Sequence, residues 1–97
     1  MEVIENATRL KACLLECADD PTRPGWLRVS VEVRQVGPVA DLPSLVDALA
    51  GETLAVLVGP VDRDKVAALK PGSDIALQVR LRAPGVLTAL PGTLTAD

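Results

Sequence analysis

Ala7-Thr8-Arg9-Leu10-Lys11-Ala12-Cys13-Leu14-Leu15-Glu16-Cys17-Ala18 runs into Asp19-Asp20-Pro21-Thr22-Arg23-Pro24-Gly25, and then into Trp26-Leu27-Arg28-Val29-Ser30-Val31-Glu32-Val33-Arg34-Gln35-Val36. The last piece has one reading. Leu27, Val29, Val31 and Val33 alternate with Arg28, Ser30, Glu32 and Arg34, a period of two rich in β-branched residues, so 26–36 is a half-buried strand. The first piece has two readings. Its Ala, Arg, Leu, Lys and Glu suit a helix, with Val3, Ala7, Leu10 and Leu14 as its stripe. As a strand it turns Leu10, Ala12 and Leu14 inward and Arg9 and Lys11 outward, with Leu15 as the misfit. The middle piece tips the balance. A single turn-rich loop joins two segments of similar length, which is the layout of a long β-hairpin. The strand reading over 7–18 is preferred, and the helix stays as its alternative.

Further along, Asp74 to Arg82 alternates as clearly, with Ile75, Leu77, Val79 and Leu81 on one face and Ala76, Gln78, Arg80 and Arg82 on the other. Pro84-Gly85 turns the chain into a short return strand over 86–90, with a bulge or wide loop expected at the turn. Thr53-Leu54-Ala55-Val56-Leu57-Val58 is apolar on both faces and reads as a central strand between Gly51 and Gly59-Pro60. Two short helices are expected. Leu42, Leu45, Val46 and Leu49 repeat at helical spacing with Gly51 as a stop. Asp62 would cap a second helix over 63–70, with Val61 and Val66 forming a hydrophobic staple across its start.

The expected fold class is therefore mainly β: a small five-stranded barrel with one or two short helices. The element order, three strands, a helix and two strands, resembles the OB-fold, a five-stranded Greek-key barrel. Leu69-Lys70-Pro71-Gly72-Ser73-Asp74 before an alternating strand is common in barrels of that type. With 7–18 helical, the chain would resemble an Sm-like barrel instead. Residues 1–97 are read as a single domain, with 19–25 as a mobile hairpin loop and 93–97 as a frayed end.

Composition narrows the function. The chain contains no His, Tyr or Phe, and Trp26 is its single large ring. Histidine is the side chain that titrates near neutral pH unaided and the commonest metal ligand. A serine nucleophile needs a base beside it, and Ser30, Ser44 and Ser73 have none in view. The acidic pairs Asp19-Asp20 and Asp62/Asp64 suit a turn and a helix start better than acid–base chemistry. No enzyme activity, cofactor or metal is expected. Cys13 and Cys17, four apart on a strand, lie roughly 13 Å from one another, too far to bridge. They read as small apolar side chains in or near the core.

Net charge is −3 and the isoelectric point about 4.8. Nucleic-acid binders usually carry the opposite field. OB-folds that hold oligonucleotides present a positive groove with aromatic platforms on the strand 2–3 face. Here that face offers Arg28, Ser30, Glu32 and Arg34, with Trp26 as the one ring near it. The remaining polar candidate is an arginine patch of Arg28, Arg34, Arg80 and Arg82, able to grip an anion by paired hydrogen bonds if the strands bring them together. Trp26 is read as a plug for one barrel end, with an interface anchor at the rim as its alternative. The expected function is a non-catalytic binding or assembly module for a protein partner or a second copy. Weak nucleic-acid or anion binding is the alternative. No membrane span or leader is visible, and a cytoplasmic location is the default.

Overall fold

The computed structural model describes residues 5–83 and 85–96. Met1 to Ile4, Pro84 and Asp97 lie outside them, and with them Val3 of the helical stripe and the first residue of the Pro84-Gly85 turn. The ambiguous segment is a strand. β1 spans Thr8–Asp19 and β2 spans Leu27–Pro38. There follow β3 (Thr53–Val58), α1 (Pro60–Ala67), β4 (Asp74–Ala83), β5 (Val86–Ala89) and the short β6 (Thr95–Ala96). β1 pairs with β2, β2 with β3, β3 with β5 and β5 with β4, and β4 returns to β1. β3 and β5 run parallel, and the other pairs are antiparallel. The result is a closed five-stranded mixed barrel with one short helix, consistent with the OB type. The condition for an Sm-like arrangement, a helix over 7–18, is not met.

Leu15, the residue that spoiled the alternation, is the extra residue of a bulge. Leu14 stands opposite Val31 and Glu16 opposite Ser30, so Leu15 has no partner and is 40% exposed. A second shift leaves Arg34 unmatched on β2, because Lys11 pairs with Gln35 and Ala12 with Val33. Bulges sharpen strand twist, and these two let 12-residue strands wrap the barrel. The central cluster is aliphatic. Leu10 and Leu14 from β1, Val31 and Val33 from β2, Val56 from β3, and Ile75 and Val79 from β4 are all buried. Val66 of α1 joins the same cluster.

Three expectations need correction. Residues 42–49 form no helix. The Pro43 carbonyl, which a helix would turn to an amide four residues on, accepts instead from Ala7 N–H at 3.2 Å. Val46 and Ala48 pack against the core, while Leu45 and Leu49 stay exposed, so the segment alternates with period two. The observed helix begins at Pro60, with Gly59 rather than Asp62 at its N-cap. Proline at the first helical position has its φ preset and no N–H to lose. Asp62 is buried within the first turn, and its Oδ2 accepts from Gly92 N–H at 3.1 Å. The staple is also absent: Val66 is 1% exposed and Val61 73%.

The tail read as frayed puts Leu94 in the core and pairs Thr95 and Ala96 with β4. Lys65 Nζ donates to the Leu94 carbonyl at 2.7 Å. The β4–β5 turn carries the expected irregularity, a register shift between Leu81 and Ala83.

The loop between β1 and β2 is organised by one carboxylate. Asp20 Oδ1 accepts from both Thr22 N–H and Thr22 Oγ1 at 2.8 Å. Asp20 N–H donates to the Trp26 carbonyl at 3.0 Å, and Trp26 N–H to the Arg23 carbonyl at 3.1 Å. The Thr22 backbone and hydroxyl bonds hold the Asp20 carboxyl below its usual range, and Arg23 and Arg28 add to the effect. A carboxyl depressed in the folded state stabilises that state above its unfolded value, and the stabilisation is lost as pH falls through the folded value. The loop should therefore loosen only in acid, below about pH 4. The Thr22 amide resonance in an NMR pH titration reports this. A midpoint at or above that of a free aspartate would refute it.

Candidate functional site

Closure of the barrel decides which arginines meet. Arg28 pairs laterally with Leu57, Leu57 with Thr88, and Thr88 with Arg80. These four therefore share one outward row across β2, β3, β5 and β4, with Arg28 and Arg80 roughly 14 Å apart at three strand spacings. Arg82, unmatched in the β4–β5 register shift, reaches that row through its side chain, its Nε donating to Thr88 Oγ1 at 3.2 Å. Arg80 is already engaged. Its Nε donates to the Asn6 carbonyl at 3.3 Å, and Glu5 stands 4.0 Å from its guanidinium. Arg34 does not join the group. It lies six residues along β2 from Arg28, roughly 20 Å of strand. There it pairs with Glu32 at 3.5 Å and borders a shallow depression with Lys11 and Asp74. The four arginines do not form one patch.

The barrel builds a different site around Arg28. A groove of about 300 Å³ is lined by Arg23, Arg28, Ala55, Leu57, Gly85, Val86 and Leu87. The β1–β2 loop supplies Arg23 at one end and the β4–β5 turn supplies Gly85 at the other. Ala55, Leu57 and Val86 form an apolar floor. Leu57 faces outward between the buried Val56 and Val58, yet is only 8% exposed, because the groove walls shelter it. Arg23 is held 3.4 Å from Asp20 Oδ2. Arg28 forms no ion pair among the described residues. Sequence reading singled out Arg28 and missed Arg23, Ala55, Leu57 and Val86. The available signal was Leu57, an apolar residue on the outward parity of a strand bounded by turns.

Trp26 is no core plug. It is half-buried, and its ring lies flat enough on Gly59 that a Cβ there would meet ring carbons at 3.4–3.6 Å. The ring borders a small cleft of about 100 Å³ that also touches Pro60, Val61, Arg82, Thr88 and Pro91. Trp26 is thus committed to the start of α1, one step beyond the groove floor.

The other polar candidates have structural partners. Asp19 pairs with Arg63 at 2.9 Å, and Asp64 lies 4.0 Å from the same guanidinium. Ser44 and Thr8 hydroxyls share a hydrogen bond of 2.8 Å, and Ser73 Oγ donates to the Lys70 carbonyl, not its amine. Cys13 is buried, Cys17 is exposed, and neither is bridged. Partial burial pushes the Cys17 thiol up, Asp19 adds to this and Arg63 opposes it. A raised thiol holds little of the thiolate that does the chemistry. Among the described residues no three Cys, Asp or Glu gather where they could hold a metal ion. Nor is any described helix long and apolar enough to cross a membrane.

No family model matches the chain, and no curated protein matches it.

Proposed function

We propose that this barrel is a non-catalytic binding module that docks an acidic segment of a protein partner in the groove between β2, β3 and the two loops. The observation that carries this reading is the apolar floor of Ala55, Leu57 and Val86 edged by the guanidiniums of Arg23 and Arg28. A carboxylate accepts paired hydrogen bonds from guanidinium, and neighbouring apolar side chains would rest on Ala55 and Val86.

Binding of single-stranded nucleic acid is the second reading, favoured by Arg28 and Arg82 on one face. It lacks the aromatic platforms that supply about 1–3 kcal/mol per stacked base, since Trp26 rests on Gly59. The two separate by direct titration. A labelled peptide alternating glutamate and leucine should bind, and Arg28→Glu should weaken it at least about tenfold, the order of a lost charge-assisted hydrogen bond. Arg34→Glu, away from the groove, should leave it unchanged. Tighter binding of an oligothymidylate, falling steeply with salt, would decide for the second reading. A mass that doubles with concentration and is abolished by Arg28→Glu would make the partner a second copy of the chain.

A further inference from the structure

The geometry points to a second docking surface, on the open edge of β1 beside α1, which takes an extended peptide alternating apolar and basic residues as an added strand. β1 has β4 along its inner half only, the pairing ending at Cys13 opposite Asp74. One more residue is held there: Leu14 N–H donates to the Ser73 carbonyl, and the Leu14 carbonyl accepts from Gly72 N–H. The chain then turns away at Gly72, whose φ is +93°. From Glu16 to Asp19 the strand pairs with β2 alone.

The bulge at Leu15 decides what this edge presents. In an antiparallel ladder, alternate residues turn their amide and carbonyl to one neighbour and the residues between turn theirs to the other. Asp20 N–H donates to the Trp26 carbonyl on the β2 side. Asp19 and Cys17 therefore turn their N–H and C=O to the open side, and among the described residues no backbone bond outside the β1–β2 ladder involves them. An unpaired strand edge is a template for strand addition.

The edge opens onto a cleft of about 500 Å³ whose far wall is Ala67, Leu69 and Pro71, from the end of α1 and the loop after it. Four edge residues span roughly 13 Å, enough to order a four- or five-residue partner segment. Charge selects the partner. Asp19 is neutralised by Arg63 at 2.9 Å, while Glu16, also lining the cleft, has no ion pair among the described residues. A cation on the added strand pairs with Glu16, and its apolar residues face Leu69 and Pro71. Glu16 also disfavours self-pairing of two such edges, since like charges would meet across the ladder.

The test uses the whole chain and a seven-residue capped peptide alternating lysine and valine, followed by two-dimensional NMR. Binding should shift the Cys17 and Asp19 amides and slow their exchange with solvent. Cys17→Pro should fold, because proline is tolerated where a strand N–H faces outward, and should weaken the peptide at least tenfold. Ala67→Arg, which fills the cleft from an exposed position, should do the same. A glutamate–valine peptide should bind at least tenfold more weakly, and Arg34→Glu, outside both grooves, should change nothing. Failure of the lysine–valine peptide to bind at millimolar concentration would overturn the proposal. So would binding that leaves the Asp19 amide unmoved or is indifferent to Ala67→Arg, or a dimer through this edge in the peptide's absence.

Discussion

Replacing Asn6 with leucine is expected to cost about 2–4 kcal/mol, the penalty for leaving two backbone groups without partners in a sheltered place. Asn6 is fully buried. Its Oδ1 accepts from Leu81 N–H at 2.8 Å, and its Nδ2 donates to the Leu81 carbonyl at 3.0 Å. The position explains the need. Thr8 stands opposite Val79 in the β1–β4 ladder, so two residues back the register puts Asn6 opposite Leu81. The ladder stops at Thr8, and the Asn6 side chain supplies the next rung in place of its backbone. The Asn6 carbonyl then anchors Arg80. Leucine fills similar space and supplies neither bond. In a domain this small the thermal midpoint should drop by roughly 10–30 °C. A fall under about 1 kcal/mol in urea unfolding would show that Leu81 finds water instead.

Leu14→Ala is expected to cost about 2–5 kcal/mol, the range for truncating a buried leucine and leaving a cavity. Leu14 is 1% exposed and belongs to the central cluster. Its neighbour in sequence is the natural control. Leu15 is the bulge residue, and Leu15→Ala should change stability by no more than about 0.5 kcal/mol. The two leucines are chemically identical and adjacent, so any difference measures the bulge. Equal losses would mean that the strand is registered differently.

The same pair shows how far the sequence could be read. Alternation found β2, β4 and the inner half of β1 because one face of each is buried, and burial writes itself into a two-residue period. Leu15 looked like an error in that period and is instead where the strand changes parity. The 42–49 segment deceived for a related reason. Leu42, Leu45, Val46 and Leu49 have helical spacing, but the Pro43 carbonyl is taken by the Ala7 amide, and Val46 and Ala48 alternate onto the core. Asp62 stood where a cap could be, yet its partner, Gly92, is thirty residues away, and no local rule reports such a bond. The arginines divide in the same way. Outward parity was legible for Arg28, Arg80 and Arg82, whereas their company depends on which strands become neighbours. The parallel contact of β3 with β5 creates the groove floor, and nothing in either strand announces the other.

The return of β4 to β1 has a kinetic consequence. Thr8 meets Val79, a contact across most of the chain, and such distant pairings are slow because loop-closure entropy precedes their reward. Folding should fall in the milliseconds-to-seconds range of barrels rich in long-range pairing. On a ribosome adding about 5–20 residues per second, the β1–β2 hairpin emerges seconds before the strand that completes the ring. During that interval Leu10 and Leu14 lack the β4 side of their surroundings, a window in which a chaperone or an aggregate competes for them.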